Sequence, residues 1–253
     1  MSALMAGKAG VVTGAATGIG RACAVRLGAE GAAVLVADLP SAREEGERTA
    51  RRIREAGGEA EFAACDVSRA ADSEALVDRV VERYGRLDFA HNNAGIPGVH
   101  AKLADVTDDD FDAVLAVNLR GTFLGMKHQI RRMLGSGGGA IVNTSSNAGL
   151  RGIRRIGAYS ASKHGILGLT RTAAVEYGND GIRVNAVCPG AIRTRLMHDQ
   201  PPQRQREIVA PHAIDRAGET EEVAAAVVWL CSDESSFVTG AAMPVDAGSV
   251  AGW

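Results

Sequence analysis

The sequence predicts an α/β fold, a doubly wound parallel sheet of about seven strands with helices on both faces. Three observations carry this. Short apolar runs recur without polar alternation, as strands buried on both faces require. Amphipathic stretches of helical length lie between them. Glycine is abundant, at 31 of 253 residues, while aromatics make up 4%, which suits many tight turns and close backbone approaches.

The expected strands are Ala9–Thr13, Ala32–Ala37, Glu61–Cys65, Leu87–His91, Ala140–Thr144, Ile182–Val187 and Ala242–Val245. The expected helices are Ile19–Glu30, Ser41–Ala56, Ala70–Tyr84, Thr107–Leu134, Tyr159–Tyr177 and Glu221–Ser232. The second of these carries Arg and Glu on its outer face. No linker, repeat or low-complexity break interrupts the alternation, so residues 1–253 read as one domain. Residues 193–215 fit neither pattern. With Pro201, Pro202, Pro211 and several arginines they read as a substrate lid within that domain.

Composition excludes several classes. The 28 basic and 30 acidic residues nearly cancel, so there is no bulk attraction to nucleic acid or to an anionic membrane. No apolar run approaches the roughly 18 residues of a membrane span, and the first residues lack the pattern of a signal peptide. Cys23, Cys65, Cys188 and Cys231 are far apart and read as small buried hydrophobes rather than a redox or metal site. No HExxH occurs, and no metal is expected. The expected location is the cytoplasm.

Thr13–Gly20 joins the first apolar run to the first helix, with glycines at 14, 18 and 20. Such a turn lets a pyrophosphate approach the backbone, and the helix N-terminus offers free N–H groups and a positive dipole end. A glycine-rich turn alone also fits a plain tight turn. Asp38 adds to it, because it ends the second strand about 20 residues on, where a carboxylate can accept from both adenosine ribose hydroxyls. It would repel a 2′-phosphate and so select NAD over NADP. A turn Asp before Pro40 is the alternative.

Tyr159 and Lys163 stand four apart and share one helix face. A free tyrosine has a pKa of about 10. A neighbouring ammonium stabilises the phenolate, and a drop of about 3 units takes roughly 4 kcal/mol. The result is a base able to take a proton from an alcohol. Only four of the 28 basic residues are lysine, so surface positions here take Arg. A solvated helix pair has the same spacing.

With these features the chain resembles the short-chain dehydrogenase/reductase family over nearly its whole length. Matching in order are Thr13–Gly20, Asp38, Asp66-Val67, Asn92-Asn93-Ala94-Gly95, Asn118, Ser145-Ser146, Tyr159 with Lys163, and Pro189-Gly190. The resemblance implies a Rossmann fold, with Asn118, Ser146, Tyr159 and Lys163 as the catalytic residues. Tyr159 would be the general acid/base, and Ser146 would steady the substrate oxygen. Lys163 would bind the nicotinamide ribose and lower the Tyr159 pKa. Asn118 would hold a water near Lys163.

The resemblance also implies the cofactor contacts. Gly14, Thr17, Gly18, Ile19 and Gly20 would hold the pyrophosphate, and Asp38 and Leu39 the ribose. Asp66 and Val67 would take the adenine. Asn92, Ala94 and Gly95 would line the adenosine side. Pro189, Gly190, Ile192 and Thr194 would hold the nicotinamide carboxamide. It further implies a small-molecule alcohol or ketone as substrate and a homotetramer as the assembly.

The substrate pocket would be formed by residues 96–102, 147–157 and the lid. Arg154, Arg155 and Arg193, with Asn147, are candidate substrate contacts for a polar or carboxylate-bearing molecule; solvent or a subunit interface would explain the arginines equally. Ala247 stands where the family commonly has a second Gly, and Trp253 reads as an aromatic terminus docking on a neighbouring subunit. Two other readings stay open. One is a 3-oxoacyl-carrier-protein reductase using NADPH, with Arg131 and Arg132 for an acidic carrier. The other is a dinucleotide-sensing protein without catalysis.

Overall fold

The computed structural model describes residues 3–252, apart from the side chain of Leu196. Trp253 lies outside the described residues. Seven parallel strands form one sheet in the order β3-β2-β1-β4-β5-β6-β7. They are β1 (Ala9–Thr13), β2 (Ala33–Asp38), β3 (Glu59–Ala64), β4 (Phe89–Asn92), β5 (Gly139–Thr144), β6 (Ile182–Pro189) and β7 (Ala242–Val245). The pattern located every strand. The edge strand β3 differs from the expectation of two buried faces, since its residues alternate between buried and accessible.

Strand parity divides the core. Val12, Val34, Val36, Phe89 and Val142 pack under α1 (Gly18–Ala29), α2 (Arg43–Glu55) and α9 (Thr220–Cys231). Their neighbours Val11, Leu35, Ala90 and Ile141 pack on the opposite face, under α3 (Ala70–Tyr84), α5 (Gly121–Leu134) and α6 (Gly157–Tyr177). Alternate side chains point to opposite faces of a strand, so continuous apolar runs need a helix layer on each side. On α2 the outer face is laced by Arg48–Glu44 at 2.6 Å and Arg48–Glu45 at 3.0 Å.

The chain builds outward from β1 through β2 to β3, then returns to β4 on the other side of β1. This reversal opens a crevice at the carboxyl ends of β1 and β4, where open α/β sheets hold their ligands.

The helix expected over Thr107–Leu134 is three pieces. α4 (Asp108–Val114) and α5 are joined by a π-helical stretch, Leu115–Arg120. Such wide turns insert an extra residue and re-aim one side chain, and here Asn118 lies within it. Residues 193–215 hold two short helices, α7 (Arg195–His198) and α8 (Pro202–Val209). Among the described residues, no helix is long and apolar enough to cross a membrane, and no cluster of His, Cys, Asp and Glu could hold a metal. All four cysteines are free and buried. Burial pushes the Cys65 and Cys231 thiols up to about 12.

Ala247 does adopt the left-handed conformation, at φ 50°. A Cβ there costs about 1–2 kcal/mol, offset in part by the greater chain entropy that glycine loses. Ala247→Gly is expected to stabilise the protein by about 0.5–1 kcal/mol and to raise Tm by about 1–4 °C in a thermal melt.

Candidate active site

The phosphate loop leaves β1 at Thr13 and turns at two glycines of positive φ, Gly14 at 63° and Gly18 at 54°. A Cβ on Gly14 would lie 2.8 Å from the Ala94 Cα, and one on Gly20 would strike the Gly14 carbonyl. The glycines therefore let the loop fold back against the end of β4. Thr17 is extended and its side chain does not cap α1, so the first-turn N–H groups remain available to an anion. At the rim, Asp38 accepts from Ala16 N (2.9 Å) through Oδ2 and from Leu39 N (2.8 Å) through Oδ1. Those bonds hold the carboxylate facing the cleft.

A cleft of about 370 Å³ runs from Asp38 and Leu39 past Gly14, Thr17, Gly18 and Ile19 to Tyr159 and Lys163. Asp66, Val67, Ala94, Gly95 and Thr194 complete its walls. Its cradle is shaped by absent side chains: a Cβ on Gly95 would meet Asn118 Oδ1 at 3.1 Å and Lys163 Nζ at 3.6 Å. The wall thus suits an elongated dinucleotide, its pyrophosphate at the α1 N-terminus. Asp66 spends Oδ1 on Ser68, at 2.7 Å to the hydroxyl.

Five expected contact residues, Gly20, Asn92, Pro189, Gly190 and Ile192, do not line this cleft. Asn92 faces α5, donating to Gln129 Oε1 and Asn143 Oδ1, each at 2.9 Å. It shares the parity of Ala90, on the α3/α5 side of the sheet. Its neighbour Asn93 takes the place on the cleft wall and donates to Thr13 O at 3.1 Å. Pro189, Gly190 and Ile192 stand behind the wall rather than on it. Pro189 ends β6, a Cβ on Gly190 would meet His212 and Asp246, and Ile192 is buried.

At the closed end of the cleft, α6 presents Tyr159 and Lys163. The Lys163 ammonium is 5.4 Å from the Tyr159 ring centroid and donates to Thr144 O at 2.7 Å. Burial lowers its pKa to about 8. Tyr159 departs from expectation. Burial pushes its phenol up, while a hydrogen bond with Ser146 pulls the other way. In this protein alone desolvation outweighs that hydrogen bond, and burial disfavours the charged form of the neighbouring lysine as well. Ser145 anchors α6 by donating to Lys163 O at 2.9 Å. Asn118 is fully buried. It accepts from Ile96 N (2.8 Å) and donates to Ile96 O (2.9 Å) and Ser162 Oγ (3.1 Å). Its side chain sews the loop after β4 to α6, and both ends of its amide are bonded.

The candidate substrate residues do not converge. Arg193 pairs with Glu219 at 2.9 Å and faces a groove with Arg21 and Arg52, outside the phosphate loop. Arg154 and Arg155 are exposed, and the Arg155 carbonyl accepts from Ala101 N at 3.0 Å. Asn147 is buried and its amide is bonded on both sides, to Ser146 and Ser249. In the same loop the half-buried arginine is Arg151, whose Nε has no hydrogen-bond partner.

The family described as enoyl-(acyl carrier protein) reductase matches residues 14–249. The chain belongs to the short-chain dehydrogenase/reductase family. It is 43% identical over 251 residues to a 2,5-dichloro-2,5-cyclohexadiene-1,4-diol dehydrogenase of Sphingobium indicum, covering 98% of each chain. It is 40% identical over 239 residues to a cyclohexanol dehydrogenase of an Acinetobacter species, covering 94% of this chain and 93% of the other. A carveol dehydrogenase from Mycobacterium avium, solved in complex with NAD, superposes with a TM-score of 0.92 at 35% identity, over 98% of this chain and 99% of that one. As a member of the family this dehydrogenase/reductase is an oxidoreductase of secondary alcohols and ketones and takes a nicotinamide dinucleotide.

Proposed function

We propose that the chain is an NAD-dependent dehydrogenase of ring secondary alcohols, with Tyr159 as its general acid/base. The observation that carries this is the corner where Tyr159, Lys163 and Ser146 meet at the end of the cleft. Bound nicotinamide dinucleotide supplies the hydride acceptor, or the donor in reverse. Gly14, Thr17, Gly18 and Ile19 would hold its pyrophosphate, Asp66 and Val67 its adenine, and Thr194 its carboxamide end. Asp38 favours NAD, since its carboxylate would accept from two ribose hydroxyls and repel a 2′-phosphate.

The chain's own chemistry is a proton transfer. In oxidation the Tyr159 oxygen takes the hydroxyl proton of the alcohol; in reduction it returns that proton to the oxygen of the former ketone. Lys163 would hold the ribose hydroxyls of the bound dinucleotide and would favour the phenolate. Ser146 donates to the substrate oxygen as charge develops there. Asn118 positions the floor, tying residue 96 to α6. Residues 193–215 act as a lid: Arg204 on α8 donates to His100 at 2.7 Å and so joins the lid to the loop after β4. Ring alcohols are favoured as substrates because two relatives at 40% identity or better are named for cyclohexane-type alcohols.

The same reading takes the chain as a single domain and a homotetramer, with Phe237, Val175 and Phe123 among the exposed apolar side chains that subunit contacts would cover. It places the protein in the cytoplasm, where four free thiols stay reduced. The carrier-protein reading weakens on two counts. Asp38 opposes NADPH, and Arg131 and Arg132 end α5 just before β5 begins, at the opposite end of the strands from the cleft.

The test is to follow reduced-nicotinamide absorbance with cyclohexanol, cyclohexanediols, open-chain alcohols and sugar alcohols, each with NAD and with NADP. Turnover of ring alcohols with NAD is expected. Preference for NADP would overturn the reading of Asp38, and binding of NADH without turnover of any alcohol would favour the sensor.

A further inference from the structure

A chain of buried hydrogen bonds links the Ser146 hydroxyl to a carboxylate a hundred residues on. Asp246, just after β7, is buried and accepts three bonds: Gly248 N at 3.1 Å, Val250 N at 3.0 Å and Ser249 Oγ at 2.8 Å. Asn147 Nδ2 donates to Ser249 Oγ at 3.2 Å, and Ser146 Oγ donates to Asn147 Oδ1 at 3.2 Å. Ser146 Oγ also accepts from Ala148 N at 3.1 Å.

Donor and acceptor rules give this chain one direction. An ionised carboxylate only accepts. The single Ser249 hydrogen is therefore spent on Asp246, and toward Asn147 that oxygen can only accept. The Asn147 amide must then turn Nδ2 to Ser249 and Oδ1 to Ser146. An amide oxygen cannot donate, so the Ser146 hydrogen points at Asn147. A hydroxyl has one hydrogen and two lone pairs. With one lone pair on Ala148 N, Ser146 can offer only its second to the neighbouring phenol.

We propose that Asp246 is a positioning residue for the reaction: through Ser249 and Asn147 it holds the Ser146 hydrogen away from the site until charge appears there. This rests on the reading of Ser146 as a stabiliser of the substrate oxygen. Toward neutral groups Ser146 is an acceptor. A phenolate or a developing alkoxide draws its hydrogen from Asn147, because hydrogen bonds to an ion are about twice as strong as neutral ones. The donor bond then forms with the charged species and not with the ground state, which is the condition for lowering a barrier rather than only tightening binding.

The charged neighbours are few. Lys163 faces Tyr159, and beside the lysine the Cys188 thiol is pushed up to about 11 by burial and stays neutral. His212 lies beside Asp246, since a Cβ on Gly190 would meet both, and its Nε2 accepts from Ala191 N at 2.9 Å.

Asp246→Asn is nearly isosteric, and with its Nδ2 in the Oδ2 place it donates to Ser249 while giving up the bond from Val250 N, so the chain can reverse and free the Ser146 hydrogen for the phenolate. Ser249→Ala cuts the chain and removes the constraint on Asn147, while Ser249→Thr keeps the hydroxyl. The measurements are the pH profile of kcat/KM for alcohol oxidation and an ultraviolet titration of the phenol, taken as the difference from Tyr159→Phe. Asp246→Asn and Ser249→Ala should move both midpoints to lower pH by about 0.7 unit, the worth of one net hydrogen bond, and Ser249→Thr should restore them. Unmoved midpoints in variants that fold, whether or not kcat falls, would overturn the proposal and leave Asp246 a brace of the C-terminal turn. Should either variant fail to fold, the other gives the same reading, and the titration needs no turnover. Ser146→Ala, run in parallel with wild-type kcat retained, would instead overturn the reading of Ser146 itself.

Discussion

Tyr159→Phe is expected to lower kcat for alcohol oxidation by about 10²–10⁴-fold, the usual worth of a positioned acid/base, while NADH binding followed by fluorescence stays near wild type. The ring remains and only the oxygen that exchanges the proton is lost. The pH dependence follows from the direction of its shift. Burial raises the phenol above its ordinary value, and oxidation needs the phenolate, so oxidation should quicken as pH rises from neutral into the alkaline range. Reduction needs the neutral phenol and should run in the opposite sense. Lys163 loses its charge above about 8 in the protein alone, so the rising limb belongs to the pair rather than to Tyr159 by itself. A kcat/KM profile that is already flat in wild type, or residual activity of a tenth or more in Tyr159→Phe, would remove Tyr159 from the proton step.

Lys163→Met should do two opposite things: abolish most turnover and make the fold more stable. The Lys163 ammonium is buried, held by the Thr144 carbonyl, with no carboxylate paired to it among the described residues. Its pKa falls to about 8, against about 10.4 in an unfolded chain. Between those values the folded state binds fewer protons than the unfolded state, so this group makes stability rise with pH across that window. Below about 8 the penalty is fully present, about 3 kcal/mol from the shift alone. Methionine fills similar space without the charge but leaves the Thr144 carbonyl short of a donor, which costs about 1–2 kcal/mol. A net gain of about 1–2 kcal/mol is expected at pH 7, a rise in Tm of about 2–8 °C. At pH 10 the wild-type penalty has largely gone while the cost at Thr144 remains, so the mutant should fall level with wild type or slightly below it. A mutant less stable than wild type at pH 7 would mean the lysine is better solvated than its burial indicates. The trade is a common one, since a site suited to chemistry is seldom one suited to folding.

How much of the site could be read beforehand follows from the range of the interactions involved. Tyr159 and Lys163 meet because they are four apart on one helix, a distance the local backbone sets. The glycines at 14 and 18 take positive φ because of the turn they make, and Asp38 ends its strand. These were legible. Asn92 and Asn93 show the limit of local pattern. One of two adjacent asparagines had to face the cleft, and the choice rests on Asn143 and Gln129, which lie across the sheet and on α5. Strand parity, with Ala90 and Asn92 on one face, was the available signal. Arg193 could not be placed from its neighbours in sequence, since its partner Glu219 comes from beyond the lid.

By itself the sequence determined the alternation of strands and helices, the glycine turn after β1, the carboxylate that ends β2 and the Tyr–Lys pair, because each rests on residues within a few positions of one another or on the period of a single element. Only the tertiary structure decided which way each polar side chain is spent. It made the Asn118 side chain a tie between Ile96 and Ser162, on a wide helical turn. It raised the Tyr159 phenol rather than lowering it, through burial that no spacing records. It also brought Asp246 into line with Ser146, although their separation of a hundred residues leaves no periodic trace. A buried hydrogen bond is directional and must be satisfied where it stands, so its partners are chosen by the folded neighbourhood and not by the chain.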